Sequence, residues 1–420
     1  MMVRFLYSLI LYLAAPAIWL RLLWRSRRQP AYLQCLPERY GFYAQAAPSK
    51  LIWVHAVSVG ETRAAQPLIE GLMARWPEHR VLLTGMTPTG RDAGAQVYGE
   101  RVLQAYLPYD YPVAVQRFLD HFKPEFGVLM ETEIWPNLLA AAKARQLPVI
   151  LANARLSARS ARGYGRLASL VGPAFAALRG VAAQTANDAE RLAGLGAQRV
   201  EVCGNLKFDV VPAPEKVCLG RQWRATVGQR QVWLAASTRE GEEVLIIEAW
   251  RAVGASEALL VLVPRHPQRF DEVAAMLAGQ GIAVRRRSES LPDAETQVWL
   301  GDSMGEMAAY FSFADLAFIG GSLLPLGGQN LIEAAACGCP VLVGPHTFNF
   351  LQATEDAIAA GVARRVESPQ RLGSEVARLL RGEDELAAMR AAAGAFMHAH
   401  QGATQRMLAL IARCSDRAAR

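Results

Sequence analysis

Short apolar runs recur along this chain with room for about one helix between them, and they fall into two series. Leu51–His55, Val81–Thr84, Phe126–Met130, Val149–Ala152 and Val181–Gln184 read as strands of the first. Val232–Ala236, Leu259–Val263, Val298–Leu300, Leu316–Ile319 and Val341–Val343 read as strands of the second. Strands alternating with helical patterns mean a parallel sheet with crossover helices. The stretch from Asp209 to Gly228 carries two prolines close together and breaks the rhythm, so 211–228 reads as a linker between a domain at 29–210 and one at 229–420. A chain of 420 residues has room for both. The expected fold class is therefore α/β, with two Rossmann-like domains facing each other across a cleft and ligands at the C-terminal ends of the strands. Residues 383–412 are rich in Ala and Leu and read as helix, the last helix being the one that can pack back on the N-terminal domain.

The N-terminus differs in kind. Phe5–Leu20 is a charge-free apolar run between Arg4 and Arg21, at or just under the length that spans a bilayer. Tyr7, Tyr12, Trp19 and Trp24 suit a membrane interface, and Arg21, Arg25, Arg27 and Arg28 form a basic flank. Residues 1–28 read as an uncleaved membrane-anchor helix, which could span or lie in the interface, with the rest of the chain on the cytoplasmic side. The formal net charge of +7 calls for anionic partners. Because arginines cluster beside the anchor and not in an aromatic-interleaved stripe, membrane lipid is the expected sink and nucleic acid is not. Six cysteines without C-x-x-C spacing suit free thiols in a reducing compartment.

Several loops carry residues suited to chemistry. Gly320–Gly328 follows a strand and precedes a helix expected at Asn330–Ala336, with Glu333 in its first turn, where a carboxylate could take hydrogen bonds from a ribose. Together with Pro264–Pro267 and Gly301–Met307 it places three loops at one sheet edge, a place for a nucleotide phosphate. In the first half, Ser58 and Glu61 match a capping box, the reading the residues favour, while Glu61 at the mouth of the cleft could also act as general base. Glu131 and Glu133 end a strand, but no third ligand completes a metal site with them. Arg155, Arg159 and Arg162 could grip an anion or form a solvated face. Gly204–Asp209 closes the half with a polar cluster containing Lys207.

The ordered set HAVSVGE (55–61), ETEIWPN (131–137), NARLS (153–157), GNLKFD (204–209), ASTREGEE (236–243), PRHPQRF (264–270), GDSMGEM (301–307) and GGQNLIEAAACGCPVLVGPH (327–346) resembles the 3-deoxy-D-manno-oct-2-ulosonic acid (Kdo) transferase family over nearly the whole chain. That resemblance implies a GT-B glycosyltransferase that moves Kdo from CMP-Kdo, with inversion, to a lipid A precursor at the bacterial inner membrane. It places the general base on Glu61. Donor contacts fall on Arg265, His266, Gly305, Glu306, Met307, Asn330, Leu331, Ile332 and Glu333, with Met304 and glycines 320, 321, 327 and 328 as second choices on geometry. Arg63, Glu131, Glu133, Arg155 and Lys207 are candidates for the acceptor phosphate or the Kdo carboxylate. No metal or other cofactor is implied, and the partners are CMP-Kdo, a phosphorylated glycolipid and inner-membrane lipid. The competing reading is another GT-B sugar-nucleotide enzyme, a 2-epimerase or a different membrane-peripheral transferase. A nicotinamide dehydrogenase is disfavoured, because no G-x-G-x-x-G follows either first strand.

Overall fold

A computed structural model describes residues 2–27, 29–253 and 258–415. These divide into two units, one running to Val210 and resuming at Gly402, the other covering Val211–Gln401. Unit 1 contains β1 (Leu51–His55), β2 (Arg80–Gly85), β3 (Val102–Tyr106), β4 (Phe126–Met130), β5 (Val149–Ala154), β6 (Gly180–Ala183) and β7 (Val200–Val202). They lie in the order β3-β2-β1-β4-β5-β6-β7, all parallel. Unit 2 contains β8 (Gln231–Thr238), β9 (Ala258–Pro264), β10 (Val284–Arg286), β11 (Val298–Leu300), β12 (Leu316–Ile319), β13 (Val341–Val343) and β14 (Ala363–Arg365). Their order is β10-β11-β9-β8-β12-β13-β14, again all parallel. The winding reverses between β1 and β4 in unit 1 and between β8 and β12 in unit 2. A crevice opens at such a reversal, beyond the C-terminal ends of the strands.

The central strands β1, β4, β8, β9 and β12 are buried on nearly every residue, as expected for strands with helices on both faces. In unit 1 the Trp53 ring meets Phe118 edge-on at 5.2 Å and donates its indole N–H to Thr84 Oγ1 at 2.7 Å, so a large side chain is buried with its one polar atom satisfied. The strands missing from the two sequence series are β3, β7, β10 and β14, the outer strands of the two sheets.

Three expectations about organisation are corrected. The stretch 211–228 is not a linker but contains the helix Pro214–Val227. Pro214 opens that helix, where a missing N–H costs nothing. Its buried Trp223 packs against Trp299 at 5.0 Å and Tyr310 at 5.1 Å. The N-terminal segment expected as one anchor helix is two helices, α1 (Met2–Leu13) and α2 (Ala15–Ser26), bent by 48° at the break. Among the described residues no single helix is long and apolar enough to cross a membrane; only this bent pair meets the length and composition together. Finally, 383–412 is two helices, Glu383–His400 and Ala403–Ser415, parted at Gly402 with φ +88°. The second belongs to unit 1, where the Asp209 carboxylate accepts the Gly402 and Thr404 N–H groups.

Candidate active site

In unit 1 the loop after β1 turns into the short helix α3 (Val59–Ala64), with Ser58 as its N-cap. Ser58 Oγ accepts the Glu61 N–H at 3.4 Å and donates its own proton to Glu61 Oε1 at 2.9 Å, while Glu61 Oε2 accepts the Val57 N–H at 2.8 Å. Cap and carboxylate are thus one device: the helix start that Ser58 stabilises also fixes the direction of the Glu61 carboxylate. Burial pushes the Glu61 pKa up to about 7, the Val57 N–H holds it back, and the negative charges of Glu131 and Glu133 raise it further. A carboxylate balanced near neutrality is suited to proton transfer.

Glu131 directly follows β4 and holds a left-handed φ of +56°; its N–H bonds Ala152 O at 2.9 Å. Asn153 on β5 also has a left-handed φ, +52°, and is fully buried, with its Oδ1 accepting the Leu206 N–H at 3.1 Å. Two strained non-glycine residues at adjacent strand ends concentrate at this place, as functional sites tend to do. The Asn153–Leu206 bond brings up the segment carrying Lys207. Burial lowers the Lys207 pKa, Glu131 acts in the opposite sense, Arg155 adds to the lowering, and Glu61 again raises it. Glu61, Glu131, Glu133, Arg155 and Lys207 therefore form one electrostatic cluster around the winding reversal. Arg63 is exposed on α3, and no ion pair joins it to that cluster among the described residues.

His55, the last residue of β1, was quoted within a motif but not singled out from sequence. It is fully buried; its Nδ1 donates to Thr84 O at 3.1 Å, leaving Nε2 as the lone-pair atom, 4.0 Å from Glu133 Oε2. Burial holds its pKa down to about 4, so the ring is neutral. Glu133 is steadied from the other side by Trp135 Nε1–H at 2.8 Å, and burial raises its pKa. The signal for His55 in the sequence was its place: an imidazole closing an otherwise apolar strand.

In unit 2 the ends of β11, β9, β8 and β12 stand side by side. Arg265 and His266 are exposed after β9, and the Arg265 N–H bonds Thr238 O at 2.9 Å, bringing that loop against the end of β8. Burial lowers the His266 pKa, and three positive neighbours, Arg239, Arg265 and Arg269, lower it further. Such a concentration of cations suits a phosphate. Arg239 was missed as a site residue, although its position just beyond β8, at the reversal, was the available signal. Arg269 is already committed, gripping Glu243 at 2.9 Å and Glu272 at 3.1 Å.

The acidic residues of 242–243 are internal supports. Buried Glu242 accepts N–H groups from Arg239, Gly321 and Leu323, tying the glycine loop to the loop after β8. The glycines themselves serve chain packing more than ligand approach. A Cβ on Gly320 would lie 2.6 Å from Ser237 O and from Thr238 Cα, and one on Gly327 would lie 2.3 Å from the Asn349 side chain. Gly320→Ala is accordingly expected to destabilise the protein by about 1–3 kcal/mol, read as a fall in the denaturation midpoint; an unchanged midpoint would show that the two loops separate easily.

The remaining donor candidates divide. Gly305 adopts φ +76° with open space where its Cβ would be, and Met304 is exposed. Glu306 precedes the helix Met307–Phe313 and is paired with Arg287 at 3.1 Å and Ser303 Oγ at 2.6 Å. The helix expected from Asn330 spans only Ile332–Ala336, because Asn330 Oδ1 accepts the Ile332 N–H at 3.1 Å and acts before its start. Glu333 lies in its first turn. Leu331 and Ile332 are buried, so what either could offer a ligand is backbone alone. Among the described residues no group of three or more His, Cys, Asp or Glu side chains could hold a metal ion.

Residues 34–210 match the family model described as 3-deoxy-D-manno-octulosonic-acid transferase (kdotransferase). A 3-deoxy-D-manno-octulosonic acid transferase of Bordetella pertussis is 47% identical over 96% of this chain and 98% of its own length. This chain belongs to the Kdo transferase family. It is a glycosyltransferase. A Kdo transferase of Haemophilus influenzae is 37% identical over 97% of this chain and 98% of its own. Among solved structures, a glycosyltransferase from Rickettsia africae (TM-score 0.61, 13% identity) covers 89% of this chain and 100% of its own. UDP-GlcNAc 2-epimerase from Neisseria meningitidis (TM-score 0.61, 16% identity) covers 87% and 100%. At those identities they speak for the GT-B fold alone. The Kdo transferase reading displaces a 2-epimerase for this chain, since the Bordetella pertussis and Haemophilus influenzae relatives, both above 30% identity over nearly the whole chain, are Kdo transferases.

Proposed function

We propose that this Kdo transferase moves Kdo from CMP-Kdo to a sugar hydroxyl of a lipid A precursor, lipid IVA, with inversion and with Glu61 as general base. The observation that carries this reading is the Glu61 carboxylate, aimed by Val57 N–H and Ser58 and held near neutral pKa by burial. Glu61 takes the acceptor hydroxyl proton as that oxygen attacks the anomeric carbon of Kdo and the bond to the CMP phosphate breaks. Charge builds on the departing phosphate, where Arg239 and Arg265 with His266 supply compensation. That assignment leaves the metal no required role, and turnover in excess chelator is the matching expectation. Lys207 and Arg155, beside the base, are suited to the acceptor phosphate or the Kdo carboxylate. The enzyme is placed by this reading at the inner membrane, with its catalytic units on the cytoplasmic side, where arginine-rich residues 21–27 meet anionic headgroups.

Incubating the purified protein with CMP-Kdo and a tetra-acylated lipid A precursor, followed by mass spectrometry, tests the activity. A Kdo mass increment is expected; its absence while CMP-Kdo stays intact would overturn the reading. The base has its own signature. A general base works deprotonated, so kcat/KM should fall about tenfold per pH unit below roughly 7 and level off above it. A profile flat from pH 5.5 to 8 would remove Glu61 from that role.

A further inference from the structure

We propose that α1 and α2 form an in-plane docking element, clasped to unit 1 and laid on an anionic phospholipid surface, and that they do not cross the bilayer; this rests on the membrane attachment proposed above. The clasp is polar and buried. Ser8 Oγ on α1 lies 3.0 Å from Asn137 Nδ2, and Tyr7 OH donates to Asp110 Oδ2 at 3.1 Å. Asp110 also accepts the Asn137 N–H at 2.9 Å and the Leu138 N–H at 2.8 Å, while its carbonyl accepts Asn137 Nδ2–H at 2.7 Å. Ser8, Asp110 and Asn137 are all buried. One network therefore caps the helix Pro136–Ala144 of unit 1 and fixes α1 against it.

Crossing would require α1 to be surrounded by hydrocarbon. Either the clasp would break, costing buried Asp110 its Tyr7 hydrogen bond and buried Asn137 its Ser8 partner, or the polar groups of unit 1 would enter the lipid with it; both are unfavourable. The 48° bend fits the same conclusion, since each half is only 12 residues long. The side of the pair away from the clasp is apolar and exposed, with Met2, Phe5, Ile10, Leu13, Leu20 and Trp24 each between 59% and 75% accessible. Aromatic contacts continue it into unit 1: Tyr12 stacks on Tyr111 at 5.0 Å and Trp19 on Tyr40 at 6.0 Å. Exposed Arg4, Arg21, Arg25 and Arg27 stand on or at the end of the same two helices, which selects an anionic lipid surface over a second protein as their occupant. Asn137 ends the ETEIWPN segment whose first and third residues are Glu131 and Glu133, so the same segment that supplies carboxylates to the site holds the docking helix.

The full chain carrying an N-terminal epitope tag is expressed in a Gram-negative host, and intact spheroplasts are treated with protease. The tag should be protected and become digestible only after lysis, while the protein sediments with membranes. Digestion in intact spheroplasts would establish crossing and overturn the proposal. Loss from the membrane fraction would overturn it through the attachment it rests on, leaving the transferase assay untouched. A second arm follows the apolar face directly. Phe5→Ser with Ile10→Ser and Leu13→Ser should lower binding of the full chain to vesicles containing anionic phospholipid by at least roughly tenfold. Unchanged vesicle binding would also overturn the proposal.

Discussion

Replacing Glu61 by glutamine is expected to cut turnover by about 10²–10⁴-fold, with melting temperature and CMP affinity close to those of the parent protein. The amide has the size of the carboxylate and can still accept the Val57 N–H, and the backbone cap from Ser58 to the Glu61 N–H does not involve the replaced group. What disappears is the capacity to take a proton. Since the residues proposed for the nucleotide lie in unit 2, its binding should be unaffected. Glu61→Asp should fall between the two, because it keeps the charge but draws it back by one methylene. A single-turnover measurement with saturating CMP-Kdo separates the outcomes. A loss of less than about threefold, far below what general-base removal costs, would place the base elsewhere.

The largest effect on stability is expected at Glu242. Alanine there strips the acceptor from the N–H groups of Arg239, Gly321 and Leu323 and leaves them facing a cavity. Each buried donor left without a partner costs about 1–3 kcal/mol, so a total on the order of 3–5 kcal/mol is reasonable even with some relaxation. For a unit of this size that corresponds to a fall in melting temperature of roughly 10 °C. The glycine loop and Arg239 lose their tether together, so CMP affinity should weaken as well. Calorimetry of unfolding and titration with CMP give the two readouts. An unchanged melting temperature with weakened CMP binding would recast Glu242 as a ligand contact and not an internal support. The two variants thus separate: Glu61→Gln loses turnover while keeping its stability and CMP affinity, whereas Glu242→Ala loses both of these.

The interior strands were legible because a strand covered on both faces is an unbroken apolar run, as in Leu259–Val263 or Phe126–Met130. The outer strands were not. Val200–Val202 reads VEV, Val284–Arg286 reads VRR and Ala363–Arg365 reads ARR, since an edge is partly solvated and tolerates charge. Pro212 and Pro214 read as a break because proline ends a helix far more often than its surroundings reveal that it starts one. Glu61 illustrates a different limit. Its local sequence favours a cap over a base, and the structure puts the carboxylate into the cap's own hydrogen bonds, so the cap does not exclude the base proposed above.

Sequence alone determined the α/β class, the two strand series and the family, because burial periodicity and an ordered set of motifs are local properties. It could not reveal partners brought together from far apart. Glu242 meets Gly321 across 79 positions and Ser8 meets Asn137 across 129. Nor could it show that the acids of 242–243 support a loop, that Gly320 makes room for backbone, or that the N-terminal apolar run bends and is clasped to unit 1. Those depend on which strands become neighbours and which backbone groups are left needing a partner, and only the assembled sheets decide that.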